Sequence, residues 1–347
     1  MIRRPPRSTL DRSSAASDVY KRQLLESLAS SRIPFMDRFA KIGPNGLGFH
    51  TTAEEVTRSI DLTDKTIVVT GANSGLGLET VRVLSLRGAK VIGMARTIEK
   101  ANSIKPIANA LFMPLECDLS EPSSIMRCTQ TLIKSGTQID SIICNAGIMA
   151  LPQLQQKYGV ELQFLTNHIG HFMLVNQLMA LLTDEARITI VSSSAHKVFA
   201  YPDGIQFDNF SGFNKYNPQK AYGHSKLANL LFSNELANRL NGSHQTANAV
   251  HPGVIRTNLL RHYNPILKYG AVLVEKLLFK NVHQGAATQI YASTHPDIKG
   301  VSGKYFSNCN PKSTSRHGED QMMGKRLWEF SEKIAKTISQ GTDWEDQ

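Results

Sequence analysis

A tyrosine and a lysine four residues apart are the side chains in this sequence best suited to acid–base chemistry. Tyr222 and Lys226 lie at the start of a helical pattern that runs to about Leu240, and residues i and i+4 share one helix face. A phenol has a pKa of about 10 and is a poor acid–base group near neutral pH. A neighbouring ammonium favours the phenolate, so we expect Lys226 to lower the pKa of Tyr222. The spacing also occurs by chance, so its meaning depends on its surroundings.

Two further polar groups lie near predicted strands. The run Arg187–Val191 predicts a strand that ends in Ser192-Ser193-Ser194, where one hydroxyl could hydrogen-bond a substrate oxygen and stabilise a developing alkoxide. Asn167 lies on a predicted helix, Val160–Leu182, where its amide could hold a water that connects Lys226 to solvent. The alternative for Asn167 is a packing role.

A glycine-rich turn follows the first predicted strand, Lys65–Thr70. The glycines have the spacing Gly-x3-Gly-x-Gly and precede a helical pattern. Such a turn lets the backbone approach a pyrophosphate and places that anion at the N-terminus of the helix. The sequence therefore predicts a dinucleotide site, whose residues are Gly71, Asn73, Ser74, Gly75, Leu76 and Gly77.

The second strand indicates which dinucleotide is preferred. It ends in Gly93-Met94-Ala95-Arg96 and lacks the acidic residue that would accept from a ribose 2′-hydroxyl. The Arg96 guanidinium could instead bind a 2′-phosphate with two parallel hydrogen bonds. We therefore expect NADP(H) rather than NAD. In the alternative, Arg96 is merely solvated or pairs with Glu99.

Two further segments complete the expected cofactor site. Asp118 and Leu119 follow the third strand at the edge of the adenine pocket, where Asp118 either accepts from the adenine amino group or caps the following helix. Asn145-Ala146-Gly147 closes the fourth strand with small residues that let the backbone lie against the cofactor.

Strand and helix patterns alternate along the chain and predict an α/β fold, a Rossmann-type doubly wound parallel sheet. Ligands of such sheets bind beyond the carboxyl ends of the strands, where the motifs above all lie. The predicted strands are Lys65–Thr70, Ala89–Ala95, Leu111–Cys117, Ile139–Cys144, Arg187–Ser192, Thr246–His251 and Gly303–Phe306. The predicted helices are Thr52–Ser59, Glu79–Arg87, Ser123–Lys134, Val160–Leu182, Tyr222–Leu240 and Gln321–Ser339.

Composition excludes several other classes of protein. Of the net charge of +10, residues 1–23 carry +4, and no basic face with interleaved aromatic residues indicates nucleic-acid binding. The four cysteines have neither metal-ligand nor disulfide spacing, which is typical of reduced, buried thiols in a cytosolic protein. No apolar run is long enough to span a membrane. We expect a cytoplasmic protein, with contact at a membrane surface as the alternative.

The first 23 residues are rich in arginine and serine. A transit peptide is one interpretation, but the stretch resembles translated sequencing-adaptor sequence more closely. We therefore expect residues 1–23 to be non-native and disordered, followed by an N-terminal extension (24–63), one oxidoreductase domain (64–310) and a C-terminal helical extension (311–347).

Together these motifs resemble the short-chain dehydrogenase/reductase family over about residues 45 to 335. The resemblance implies that Ser193 orients the substrate, that Tyr222 is the acid–base group, that Lys226 activates it and that Asn167 relays protons. It also implies that Pro252, Gly253, Val254 and Thr257 hold the nicotinamide side of the cofactor. We expect Tyr222 and Lys226 to contact the cofactor too: Lys226 can hydrogen-bond the nicotinamide ribose, and an oxidised nicotinamide favours the Tyr222 phenolate as the ammonium does.

Three segments narrow the resemblance to one subgroup. Thr52–Val56, Asn167–Phe172 and Ser225–Phe232 resemble retinol dehydrogenases and, equally, the catalytic part of WW-domain-containing oxidoreductases. The peptide-binding function of the latter is not expected here. Light-dependent protochlorophyllide reductase is more distant, because its cysteine two residues after the lysine is replaced by Ala228.

An apolar segment, about 259–283, corresponds in the family to a lid over the substrate and implies a lipophilic substrate such as a retinoid, steroid, lipid aldehyde or aromatic ketone. A subunit contact in a homodimer and an interfacial membrane helix are the alternatives for this segment.

His168 and His171 are three residues apart, but no third ligand is evident, so no metal site is expected. The leading expectation is a carbonyl reductase or alcohol dehydrogenase; the rival is a scaffold that binds NADP(H) without turnover.

Overall fold

The computed structural model describes residues 42–107, 109–255 and 279–346. The expectations for residues 1–23, for most of the lid and for Thr257 concern residues outside these ranges. Every other predicted site residue lies within them.

Eight strands form the central sheet of the described ranges, and two short strands form a separate hairpin. In chain order they are β1 (Thr66–Thr70), β2 (Lys90–Ala95), β3 (Phe112–Glu116), β4 (Ile139–Cys144), β5 (Gln156–Lys157), β6 (Val160–Glu161), β7 (Leu182–Val191), β8 (Thr246–His251), β9 (Tyr305–Ser307) and β10 (Asn310–Pro311). The sheet has the strand order β10-β9-β8-β7-β4-β1-β2-β3, and β5 pairs with β6. All neighbouring pairs of the sheet are parallel except β9 with β10. This topology confirms the predicted doubly wound sheet.

Helices cover both faces of this sheet and enclose two apolar layers. They are α1 (Ala53–Val56), α2 (Gly75–Leu86), α3 (Ile98–Asn102), α4 (Pro122–Lys134), α5 (the helical turn Leu162–Phe164, a π-helical segment Leu165–Ile169 and Gly170–Leu178), α6 (Ala195–Val198), α7 (Pro218–Arg239), α8 (Val282–Thr294) and α9 (Gln321–Ser339). Helices α1, α2 and α8 pack together on one face, and α4, α5, α7 and α9 pack on the other.

The helix that carries Tyr222 begins earlier than predicted. Asn217 caps α7 through its side-chain oxygen, which accepts from the backbone N–H groups of Gln219 and Lys220, and Pro218 occupies the first position. Proline is favoured there because its missing N–H would be unpaired anyway. Tyr222 therefore lies in the second turn, where the preceding turn holds its backbone.

The segment predicted as one helix, Val160–Leu182, is divided. Its first two residues belong to the β5–β6 hairpin, and the Glu161 carboxylate accepts from the backbone N–H of Phe164 to start α5. At the other end the chain has already become strand β7 at Leu182. Continuous apolar residues do not distinguish a buried helix from a buried strand, which explains both differences.

Helix α9 spans Gln321–Ser339, as predicted, and Asp320 caps it. It buries Leu327, Ile334 and Ile338 in the core layer shared with α7. Beyond it, the Asp346 carboxylate accepts from the backbone N–H groups of Phe210 and Ser211. No helix in the described ranges is long and apolar enough to cross a membrane.

Candidate active site

The predicted site residues converge where strands β1, β4, β7 and β8 end. Because these strands are parallel neighbours, the segments after them meet at one edge of the sheet. These segments begin at Gly71, Asn145, Ser192 and Pro252. We call this edge the candidate active site.

The glycine turn brings two loop backbones into contact. Gly71 has a φ of +64°, and an added Cβ there would lie 2.9 Å from the Ala146 Cα. An added Cβ at Gly77 would overlap the Gly71 carbonyl oxygen. Ser74, at the start of α2, makes no side-chain capping bond, and the first turn of α2 contains no acidic residue. The N-terminus of α2 is thus suited to an anion.

Asn145 joins the ends of β1 and β4. Its side-chain amide donates to the Thr70 carbonyl oxygen at 2.8 Å, and its backbone N–H donates to Thr70 Oγ1 at 3.0 Å. Gln289 on α8 donates to Asn145 Oδ1 at 3.1 Å. The small residues that follow, Ala146 and Gly147, are partly or well exposed at this edge.

Arg96 and Asp118 lie at the ends of β2 and β3. The Arg96 side chain is exposed, and the Glu99 carboxylate accepts from Thr97 and from its own backbone N–H instead of pairing with it. Asp118 does not cap α4, whose N-cap is Glu121. Its Oδ1 accepts from the backbone N–H and hydroxyl of Ser120, and the buried Leu119 follows it.

Tyr222 and Ser193 form the polar centre of the site. Burial raises the pKa of Tyr222 to about 12, and a hydrogen bond with the Ser193 side chain acts in the opposite direction. In the protein alone, the pKa of Tyr222 is therefore above its usual value, whereas the sequence predicted a lowered one. Apolar surroundings disfavour the phenolate, and the spacing of Tyr222 and Lys226 does not reveal them.

The three serines after β7 have different environments. Ser192 is buried and donates to the Lys226 carbonyl oxygen at 2.7 Å, which ties β7 to α7. Ser193 is half-buried, bonds Tyr222 and accepts from the Ala195 backbone N–H at 3.2 Å. The Ser194 backbone N–H donates to His251 Nδ1 at 3.4 Å. Of the three hydroxyls, that of Ser193 is the one beside Tyr222.

The Lys226 ammonium lies beside the Tyr222 ring, with Nζ 5.7 Å from the ring centroid. The side chain is only 3% exposed. Its Nζ donates to the Val191 carbonyl oxygen at 2.9 Å, and burial lowers the pKa of Lys226 to about 8. An added Cβ at Gly147 would lie 3.5 Å from this Nζ, so the β4 loop passes close to the ammonium.

Asn167 lies in the π-helical part of α5 and is fully buried. Its amide accepts from the Ile148 backbone N–H at 2.8 Å and donates to the Ile148 carbonyl oxygen and to Ser225 Oγ, both at 2.9 Å. The side chain therefore clamps the β4 loop to α7. The Asn167 amide is thus engaged by protein groups, whereas the sequence suggested that it could hold a water.

Two residues of the site, Ser225 and Asn229, were not identified from the sequence. Ser225 accepts from Asn167 and donates to the Tyr222 carbonyl oxygen at 2.8 Å. Asn229 donates to the same Val191 carbonyl oxygen as Lys226. Its position three residues after the lysine places it on the same helix face, which was the available signal.

The segment Pro252-Gly253-Val254 follows β8 at the same edge. Gly253 has a φ of +100°, and an added Cβ there would lie 2.8 Å from the Lys280 Cδ. The glycine thus leaves room for the buried Lys280 side chain, whose pKa burial lowers to about 8.

The two histidines of α5 do not converge on a common point. His168 Nε2 lies 2.8 Å from Ser331 Oγ, whereas His171 Nδ1 lies 2.8 Å from the Asn167 carbonyl oxygen. Within the described ranges, no group of three or more potential ligands could hold a metal ion. All four cysteines are buried and unpaired.

Comparisons with known proteins identify the family. A family model described as short chain dehydrogenase matches residues 65–203. The chain is 41% identical over 315 residues to the protein named short-chain dehydrogenase TIC 32 B, chloroplastic, from Brassica napus, covering 86% of this chain and 97% of that one. It is 38% identical over 293 residues to human retinol dehydrogenase 14, covering 77% and 85% of the two chains.

A solved structure of an uncharacterised protein from Mycobacterium paratuberculosis has the same fold. It matches with a TM-score of 0.64 and 34% identity over 80% of this chain and 95% of its own. The chain therefore belongs to the short-chain dehydrogenase/reductase family, in its retinol dehydrogenase-like subgroup.

Proposed function

We propose that the protein is an NADP(H)-dependent oxidoreductase that interconverts a carbonyl and an alcohol on a lipophilic substrate. One observation carries this proposal: the Tyr222 side chain is hydrogen-bonded to Ser193 and has the Lys226 ammonium 5.7 Å from its ring. This arrangement lies at the sheet edge that also holds the glycine turn.

The residues present fit a nicotinamide dinucleotide. Gly71 and Gly77 keep the turn free of side chains, and the N-terminus of α2 offers N–H groups and a favourable dipole to a pyrophosphate. Asp118 keeps one carboxylate oxygen, Oδ2, outside its bonds to Ser120 and so suited to an adenine amino group. When bound, the dinucleotide supplies or accepts the hydride.

The exposed guanidinium of Arg96 supports NADP(H) over NAD. It follows β2, where the ribose of the adenosine is expected, and the Glu99 carboxylate is engaged by Thr97. A guanidinium suits a 2′-phosphate through charge and two parallel hydrogen bonds. The segment Pro252-Gly253-Val254 lies where the nicotinamide side is expected.

Tyr222 exchanges the proton in this proposal. With a pKa of about 12, its hydroxyl is protonated at neutral pH and ready to donate to a carbonyl oxygen as that oxygen gains negative charge. The Ser193 hydroxyl donates a second hydrogen bond to the same oxygen. In the oxidative direction the phenolate must form first, which costs free energy at neutral pH.

Lys226 acts on Tyr222 by charge. Its ammonium favours the phenolate that forms when Tyr222 gives up its proton, and the Val191 carbonyl oxygen holds it in place. Asn167 acts through position, since it clamps the β4 loop against α7. With a pKa of about 8 for Lys226, this assistance is lost as the pH rises above that value.

Two exposed apolar side chains support a lipophilic substrate. Val198, on the short helix that follows Ser193, is 70% exposed, and Phe213, on the loop before α7, is 72% exposed. Large apolar side chains that remain open to solvent can contribute to an apolar ligand site.

The test is oxidation of NADPH by the purified protein with a panel of retinal, steroid aldehydes or ketones, and aromatic aldehydes. We expect turnover with at least one lipophilic carbonyl, and faster turnover with NADPH than with NADH. Tight NADPH binding without turnover across the panel would refute the catalytic proposal and favour the scaffold.

A further inference from the structure

A cavity of about 270 Å³ lies where β8 begins beside β7, at the edge of the sheet opposite the candidate active site. We call it the basal cavity, and Glu185, Arg187, Thr246 and Lys299 are among the residues that line it. Its volume is close to the lower limit of small-molecule sites, about 300 Å³. A strand rises about 3.3 Å per residue, so Thr246, the first residue of β8, is roughly 17 Å from His251 at the other end. The basal cavity is therefore separate from the glycine turn and from Tyr222.

Positive charge predominates in the lining of the basal cavity. Arg187 and Lys299 each carry a positive charge, and Glu185 is the one acidic residue among the lining residues. The Leu240 carbonyl oxygen, at the end of α7, already accepts from the N–H and the hydroxyl of Ser243. It therefore does not oppose an anion, which the net positive charge favours.

Arg187 has no carboxylate in contact with it in the described ranges. Its Nη1 donates to the His295 carbonyl oxygen at 2.7 Å, and the side chain is partly buried. Burial lowers the pKa of Arg187, which the charge of Glu185 offsets only in part. A partly desolvated cation is disfavoured when no anion touches it. The remaining N–H groups of the guanidinium are available to an anion in the basal cavity.

Thr246 adds an unpaired hydroxyl beside this guanidinium. It is the register partner of Arg187 on the neighbouring parallel strand, so the two side chains start from adjacent positions on one face of the sheet. Thr246 is 4% exposed, and its hydroxyl oxygen is buried without a hydrogen-bond partner in the described part of the chain. Buried polar groups are nearly always paired, because an unpaired one costs folding free energy. The pair Arg187 and Thr246 indicates that a bound molecule supplies the missing acceptor.

Lys299 can contribute a third donor. Its ammonium pairs with the Glu185 carboxylate at 2.9 Å, but the two side chains are 65% and 61% exposed. Such exposed pairs contribute little to stability, so Lys299 can turn to a bound anion at small cost. The Glu185 carboxylate could then accept from a hydroxyl of the same ligand.

We propose that the basal cavity binds a small phosphate ester, with its phosphoryl group between Arg187, Thr246 and Lys299. A phosphoryl group has three acceptor oxygens, which suits donors that come from β7, β8 and the loop before β9. A carboxylate has only two oxygens and is less suited to three separate donors. This site does not depend on the proposed oxidoreductase activity.

The first experiment compares three probes with the same carbon chain. Glycerol 3-phosphate, glycerate and glycerol are titrated into the full-length protein, and Kd is measured by calorimetry. We expect glycerol 3-phosphate to bind, glycerate to bind at least about tenfold more weakly and glycerol not to bind. Equal Kd values for glycerol 3-phosphate and glycerate would overturn the proposal, as would a lack of glycerol 3-phosphate binding at millimolar concentration.

The second experiment locates the bound phosphate. Arg187→Gln should raise the Kd for glycerol 3-phosphate about tenfold or more, because a charged hydrogen bond is lost. Arg96→Ala, at the candidate active site, should leave this Kd unchanged. The reverse result would place the phosphate in the dinucleotide site and refute the proposal.

Lys299→Gln tests the same site at an exposed position, where the substitution does not disturb the core. We expect its Kd for glycerol 3-phosphate to rise about threefold or more. Arg127→Gln is the control, because Arg127 is 65% exposed on α4 and does not line the basal cavity. Equal losses of affinity in the two variants would show that only the net charge acts, which would contradict the proposal.

The third experiment uses Thr246→Val, in which stability and binding should change in opposite directions. Valine nearly keeps the shape but removes the unpaired hydroxyl, so the urea midpoint without ligand should rise. The Kd for glycerol 3-phosphate should rise about tenfold or more. Thr189→Val is the control on β7: Thr189 is buried and accepts from Ser293 Oγ at 3.3 Å, so its loss should lower the midpoint and leave the Kd unchanged. A lower midpoint in Thr246→Val would show that the hydroxyl already has a structural partner, and would overturn the proposal.

Discussion

The Thr70 hydroxyl and the His171 ring lie 2.8 Å apart, from Oγ1 to Nε2, and join strand β1 to helix α5. The Asn167 carbonyl oxygen can only accept, so His171 Nδ1 carries the proton in its 2.8 Å bond to that oxygen. Nε2 therefore accepts from Thr70. Burial lowers the pKa of His171 to about 4, which keeps the ring neutral. Thr70 Oγ1 also accepts from the backbone N–H groups of Asn145 and Ala146.

Replacing Thr70 with valine should loosen the β4 loop. Thr70→Val keeps the shape of the side chain but leaves two backbone donors and His171 Nε2 without their partner. Each unpaired buried group costs about 1–3 kcal/mol, so the free energy of unfolding, measured in urea, should fall by at least about 2 kcal/mol. Thr131→Val, on the exposed face of α4, is the control. Equal effects of the two variants would contradict the role of Thr70.

Stability should fall in mild acid. Burial lowers the pKa of His168 to about 3 and those of His171 and His224 to about 4. Between about pH 6.5 and pH 4 the unfolded chain therefore binds more protons than the folded one, so the free energy of unfolding decreases as the pH falls. The slope is at most about 1.4 kcal/mol per pH unit for each histidine. It should be measured by urea unfolding at several pH values.

His224→Phe should reduce that slope by up to about 1.4 kcal/mol per pH unit, because one buried titrating ring is removed. The His224 ring stacks on Phe164 with centroids 4.9 Å apart, so an aromatic replacement keeps the packing. His50→Gln is the control, since His50 is exposed. A slope that His224→Phe leaves unchanged would contradict the assignment.

Tyr222→Phe should remove the acid–base group and little else. Positioned proton transfer contributes roughly 10²–10⁴-fold to rates, so kcat for NADPH-dependent reduction should fall by roughly that factor. Binding of NADPH, followed by fluorescence titration, should persist. Tyr158→Phe, which loses only a hydrogen bond to Glu121, is the control. Turnover that survives in Tyr222→Phe would refute the mechanism.

Arg96→Ala should change the preference for the dinucleotide. If the guanidinium binds the 2′-phosphate, its loss removes a charged hydrogen bond, and the Kd for NADPH should rise about tenfold or more. The Kd for NADH should hardly change. Arg58→Ala removes another exposed arginine and is the control. Tighter binding of NADH than of NADPH by the wild type would refute this role of Arg96.

Gly77→Ala should prevent formation of the glycine turn. The added methyl would overlap the Gly71 carbonyl oxygen and lie 2.7 Å from Asn145 Nδ2, so the loop that receives the pyrophosphate must shift. We expect the Kd for NADPH to rise by at least about tenfold. Gly324→Ala, in helix α9, meets only ordinary contacts at 3.7 Å or more and should leave the Kd unchanged. Normal NADPH binding by Gly77→Ala would show that this turn does not receive the cofactor.

Much of the fold could be predicted because its signals are local. Strands β4 and β8 and helix α9 have the predicted limits, since apolar runs or an amphipathic pattern end there at polar or turn residues. The predicted start of α7 was wrong, and so was the prediction of one continuous helix over Val160–Leu182. A proline at the first helical turn and a two-residue hairpin leave little trace in periodicity.

The sequence indicated which residues form the candidate site, but not how deeply they are buried or what they contact. The order of motifs along parallel strands indicates which residues meet at one edge, including Ser193 and Tyr222. Burial depends on packing from distant parts of the chain, so the direction of the pKa shift at Tyr222 and the buried contacts of Asn167 could not be predicted from residue spacing.

The contacts of Asp346 have a consequence for biosynthesis. This carboxylate holds Phe210 and Ser211, on the loop that leads into α7, while Ser331 of α9 meets His168 in α5. During synthesis, Asp346 and Ser331 leave the ribosome more than a hundred residues after the loop and the helix that they contact. The loop before α7 and helix α5 therefore gain these contacts only after Ser331 and Asp346 have been synthesised.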